Sequence, residues 1–152
     1  MIYGVYVKKL KKITDKRGFL MEMLRNDDPF FRKFGQVYLT VCNPGYVKAW
    51  HYHKKQSDNF TVVKGKGRIG LYDAREGSST KGQVMEFISG EEDPMLIFIP
   101  QGVMHGYEAI GGEPCYLVNC VTEPYDYAQP DEERVDPFDN DIPFTWNNRK
   151  GG

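Results

Sequence analysis

Short β-prone runs, each ended by a Gly, Pro or Asn turn signal, dominate this chain, and no stretch in its middle has the length and amphipathic spacing of a helix. Gln36-Val-Tyr-Leu-Thr-Val-Cys42 is rich in β-branched and aromatic residues and stops at Asn43-Pro44-Gly45. Phe60 to Val63, then Lys64-Gly65-Lys66-Gly67, then Arg68 to Tyr72 predicts a hairpin. Met95 to Ile99 ends at Pro100-Gln101-Gly102, and Cys115 to Val121 lies between Gly111-Gly112 and Pro124. Such a pattern restricts the fold to an all-β sandwich or barrel. The best helix candidate is Pro29 to Phe34, with Asp27 or Asp28 as its cap.

Composition narrows the function classes. The 152 residues suit a single domain, and 20 basic against 21 acidic side chains give a net charge of -1, without the basic excess that nucleic-acid binding favours. The longest apolar run, Met95 to Ile99, is far short of the roughly 20 residues of a membrane helix. The N-terminal segment lacks signal-peptide organisation. Cys42, Cys115 and Cys120 form no CxxC pair and read as reduced thiols, so a cytoplasmic location is expected. After Pro124 the chain is rich in proline and acid but keeps Phe138, Ile142, Phe144 and Trp146. We therefore expect residues 122–147 to form an ordered arm on the barrel, with residues 147–152 as a frayed end.

All three histidines fall in two short segments, Gly45-x5-His51-Tyr-His53-x4-Asp58-x6-Gly65 and Pro100-x-Gly102-x-x-His105. Residues two apart in a strand share a face, so His51 and His53 can converge. Three imidazoles and a carboxylate suit a first-row divalent metal. The spacing resembles the two cupin motifs, with Asp58 where glutamate is usual and Ala109 where the second motif has asparagine. That resemblance implies a cupin (double-stranded β-helix, or jelly-roll) barrel spanning residues 1–152.

Further segments are similar to the dTDP-4-dehydrorhamnose 3,5-epimerase family. They are Asp15-x-Arg17-Gly18-Phe19-x-x-Glu22, Gln36-x-Tyr38-x-Thr40, Lys48-Ala-Trp-His51, Ile99-Pro-Gln-Gly-Val-Met-His105-Gly106-Tyr107, Thr122-Glu-Pro-Tyr125, and Pro137-Phe-Asp139 through Trp146. The resemblance implies an epimerase of a 4-keto nucleotide-linked sugar, acting in carbohydrate biosynthesis as a homodimer without a required cofactor. His51 matches the base, Asp139 the carboxylate that orients it, and Tyr125 the acid, with Tyr127 as a rival. Arg17, Glu22, Gln36, Lys48 and His105 match positions that contact nucleotide, phosphate or sugar.

Two departures open alternatives. The family's lysine at the sugar carbonyl falls on Asp58, and its glutamine two residues past the base falls on His53. Lys54 or Lys55 is a candidate replacement cation. The substitutions also assemble a metal-ligand set of His51, His53, Asp58 and His105, which suggests a metal-dependent cupin enzyme as an alternative. A metal-bound His51 is no base, so the two assignments conflict. A non-catalytic sugar-nucleotide binding module is the third possibility.

Overall fold

Side chains that alternate across a pleated strand leave their signature in burial: along Cys115 to Val121 every second residue is buried and the intervening ones are half-exposed. The computed structural model describes residues 1–152 and contains thirteen strands and no helix. One antiparallel sheet has the order β1 (Tyr6–Lys9), β9 (Met95–Ile99), β6 (Asp58–Lys64), β11 (Cys115–Val121), β4 (Gln36–Cys42). The second runs β12 (Glu133–Arg134), β5 (Tyr46–Tyr52), β10 (Val103–Ala109), β7 (Lys66–Asp73), β8 (Val84–Gly90), with β13 (Lys150–Gly151) parallel beside β5. A separate hairpin joins β2 (Lys12–Asp15) to β3 (Gly18–Met21). Phe60, Val62, Ile97 and Leu117 of the first sheet meet Ile69, Leu71, Val103 and Tyr107 of the second in the main core. β4, β9 and β11 coincide with the runs read from the sequence.

Three local expectations are corrected. β6 and β7 are consecutive but do not pair; they lie in different sheets. Gly65 turns the corner at a φ of 74°, and a Cβ there would meet Pro114 O at 2.4 Å, so only glycine fits between the two layers. Residues 29–34 form no helix: Pro29 and Phe30 lie in a turn and Phe31 to Phe34 are irregular. Asp28 spends its carboxylate on Lys8 Nζ and the Arg25 N–H, tying this segment to β1, while Phe30 is buried against Leu10, Leu96 and Phe98.

The end of the chain is not frayed. Buried Glu108 accepts hydrogen bonds from the Asn147 and Asn148 N–H groups at 3.1 and 2.8 Å, and Lys150 and Gly151 then pair with β5. Upstream, Val135 and Trp50 exchange backbone hydrogen bonds of 3.0 Å, and Trp146 packs into a cluster with Val47, Ala49 and Trp50. The arm thus covers the outer face of β5 over much of its length.

Candidate active site

Between the sheets lies a cavity of about 850 Å³, within the range of small-ligand pockets. β4 contributes Gln36, Tyr38 and Thr40 to its lining, β5 Lys48 and His51, and β10 His105 and Tyr107. The arm closes one side with Tyr125, Tyr127, Glu132 and Arg134.

His51 lies opposite His105 in the β5–β10 ladder and opposite Arg134 in the β5–β12 pairing. That second pairing sets Glu132 beside the ring, with Oε1 3.1 Å from Nδ1. An Nδ1–H donated to the carboxylate leaves Nε2 as the basic nitrogen. Burial lowers the His51 pKa below its ordinary 6.5, and the Glu132 carboxylate works against that shift. Burial raises the Glu132 pKa, but hydrogen bonds from Arg134 and His51 outweigh it, so the carboxyl titrates below its usual range.

The carboxylate behind His51 is therefore Glu132, where the family resemblance pointed to Asp139. Asp139 is exposed, its N–H is taken by the Asp136 carboxylate at 2.9 Å, and it does not line the cavity. The short β12 ladder delivers Glu132 instead, and no motif in the sequence marked it beyond the acidic run of residues 131–133. The neighbouring Asp131 carboxylate accepts the N–H groups of Lys54, Lys55 and Gln56, which pins the loop after His53 to the arm.

The other expected residues divide into two groups. Gln36, Lys48, His105 and Tyr125 line the cavity. Gln36 Oε1 accepts the Tyr125 N–H at 2.9 Å, Lys48 Nζ donates to Thr40 Oγ1 at 3.0 Å, and Tyr125 packs edge-on against Tyr127, which also lines the cavity. Arg17 and Glu22 do not reach it. Arg17 sits on the β2–β3 turn with its side chain 83% exposed and paired to Asp15, and Glu22 pairs with Arg25. Of the candidate replacement cations, Lys55 lines the cavity, whereas Lys54 is exposed and paired with Glu133. Tyr38 and Arg134 are cavity residues that had no assigned role; burial pushes the Tyr38 phenol up to about 12, and Asn119 donates to its oxygen at 2.8 Å.

The proposed four-ligand metal set is split. His53, Asp58 and His105 cluster with one potential ligand atom each, all within 4.8 Å of one another, and His51 is outside the group. Asp58 Oδ2 lies 3.6 Å from His53 Nε2 and 3.8 Å from His105 Nε2. Its other oxygen accepts Gln56 Nε2 and Asn119 Nδ2 at 3.0 and 2.8 Å. Nitrogen and oxygen donors of this kind fit a first-row divalent ion.

Residues 13–133 match the family described as the polysaccharide biosynthesis C-terminal domain. The chain is 44% identical to the spore coat polysaccharide biosynthesis protein SpsL of Bacillus subtilis strain 168, over 97% of each chain. It is 43% identical to the probable low-salt glycan biosynthesis epimerase Agl13 of Haloferax volcanii, over 91% of this chain and 89% of that one. A dTDP-4-dehydrorhamnose 3,5-epimerase of Neisseria gonorrhoeae is 30% identical over 85% of this chain and 40% of its own length. Among solved structures, a dTDP sugar isomerase from Desulfovibrio desulfuricans G20 superposes with a TM-score of 0.89 at 32% identity, covering 98% of this chain and 94% of that one.

Proposed function

Because the chain belongs to the dTDP-4-dehydrorhamnose 3,5-epimerase family of cupins, as a divergent member, we propose that it epimerises a ring carbon next to the keto group of a 4-keto nucleotide-linked sugar. The observation that carries the reading is the His51–Glu132 pair at 3.1 Å in a cavity that Tyr125 also lines. A carbonyl acidifies the hydrogens on the adjacent carbons. His51 Nε2 removes one of them, leaving an enolate and an imidazolium steadied by Glu132. The Tyr125 hydroxyl then returns a proton to the opposite face of the same carbon, and the imidazolium and phenolate re-equilibrate with solvent. The sugar is isomerised with no net change in atoms or electrons, so the step calls for no redox cofactor. Lys48, Lys55 and Arg134 line the same cavity and supply positive charge for the diphosphate of a nucleotide sugar.

The reading includes a cytoplasmic location, supported by three free cysteines. It also includes a homodimer. β4 is a sheet edge with Val37 and Leu39 exposed, and the β2–β3 hairpin exposes Ile13, Phe19 and Leu20. A second copy that covers these side chains accounts for Arg17 and Glu22 as well, which then serve the neighbouring copy's cavity.

The test is incubation in D2O with dTDP- and UDP-linked 4-keto-6-deoxyhexoses, read by NMR. Wild type incorporates deuterium next to the keto group and forms the epimer. His51→Asn loses both, and Tyr125→Phe keeps exchange while epimer formation falls by on the order of 10². Undiminished exchange in His51→Asn, or none by wild type with any of these sugars, overturns the proposal.

A further inference from the structure

We propose that His53, Asp58 and His105 bind one divalent first-row transition ion through the two Nε2 atoms and Asp58 Oδ2, with His51 outside the ligand set. The inference stands on the cluster itself and does not depend on the epimerase reading.

Hydrogen bonding at the far side of each ring carries the argument. His105 Nδ1 lies 3.0 Å from Val103 O, and His53 Nδ1 contacts Asp131 O. A backbone carbonyl only accepts, so both rings carry a proton on Nδ1 and, as neutral imidazoles, expose an Nε2 lone pair. Those two lone pairs approach Asp58 Oδ2, to which no hydrogen-bond donor is directed, because Gln56 and Asn119 both donate to Oδ1. With both rings neutral, three acceptors converge without a proton among them, on residues that are 8%, 1% and 4% exposed for His53, Asp58 and His105. Buried acceptors without a donor are costly, and a cation removes that cost.

The chemistry of the set matches a transition ion. Two imidazoles and a carboxylate form an N2O donor group, and ring N–H groups held by carbonyls are the outer-shell arrangement of metal-binding histidines. Ligands at ~2.0–2.2 Å from an ion stand roughly 3.0–3.6 Å apart, slightly closer than the 3.6 and 3.8 Å found here. His53 and His105 also line the cavity, so an ion on them is reachable from the substrate space. With Nδ1 committed to Glu132, His51 is left as a base, and the conflict between metal binding and proton abstraction disappears.

Chelator-dialysed protein is titrated with ZnCl2 by calorimetry and with CoCl2 by visible absorption. Wild type is expected to take up one equivalent of either ion, give Co(II) ligand-field bands and melt at a higher temperature with Zn(II). His105→Gln and Asp58→Asn are expected to weaken binding by at least about 100-fold and to lose the bands, whereas His51→Gln keeps both. Metal-free Asp58→Asn is expected to melt no lower than metal-free wild type, since its amide NH2 can donate to the Nε2 atoms; this separates a lost ligand from a lost fold. Uptake below roughly a tenth of an equivalent by wild type overturns the proposal. So does binding that survives Asp58→Asn or is lost in His51→Gln.

Discussion

An imidazole that is to remove a carbon-bound proton must be neutral, correctly oriented and as basic as its surroundings permit. Around His51 burial dominates and lowers the pKa, Arg134 and His53 push the same way, and Glu132 opposes them. Removing the Glu132 charge therefore lowers the pKa further and weakens the base. Glu132→Gln is expected to reduce kcat by on the order of 10² and to move the acid limb of the kcat/KM profile to lower pH, because the ring stays neutral to a lower pH. Asp139→Asn, an exposed change, is expected to leave both within about 2-fold, since surface substitutions away from a site have small effects. A pH–rate series on the two variants checks this directly. A rate loss confined to Asp139→Asn would reassign the partner.

At the scale of elements, the arm is held by a buried acid. Glu108 on β10 is fully buried and accepts from Arg68 at 2.8 Å, the Asn147 and Asn148 N–H groups and the Asn148 side chain. Arg68 in turn stacks over Phe144, 4.3 Å from the ring centroid, and donates to Thr145 O. Glu108→Ala leaves the Asn147 and Asn148 N–H groups without an acceptor, while Arg68 keeps Glu86 and Thr145 O; leaving buried donors unsatisfied costs about 1–3 kcal/mol. Urea unfolding is expected to show a loss of about that size, and Trp146, now buried, is expected to become more accessible to a fluorescence quencher. The same arm carries Glu132 to His51, so activity is expected to fall with arm docking.

For the whole molecule, the surface is unevenly finished. Ile13, Phe19 and Leu20 on the hairpin and Val37 and Leu39 on the β4 edge are each more than half exposed. In the proposed homodimer this surface is covered, so Phe19→Glu combined with Val37→Lys is expected to shift light-scattering mass from two copies to one. Nucleotide-sugar affinity is expected to drop with it, because Arg17 and Glu22 are then withdrawn from the neighbouring cavity. A dimeric double variant with unchanged affinity would remove the hairpin from the interface.

By itself the sequence determined what depends on neighbours along the chain. Side-chain alternation and turn residues marked β4, β9 and β11, and histidine spacing marked the segments that line the cavity, because both signals repeat over a few residues. The carboxylate that stands behind His51 was decided only by the tertiary structure: Glu132 is 81 positions away, and a two-residue ladder sets the arm's register. The separation of β6 from β7, the docking of Asn147 and Asn148 on Glu108 and of Lys150 and Gly151 on β5, and the exclusion of His51 from the ligand cluster have the same origin. Each is a contact between distant segments, settled by how whole layers pack, and local spacing carries no record of it.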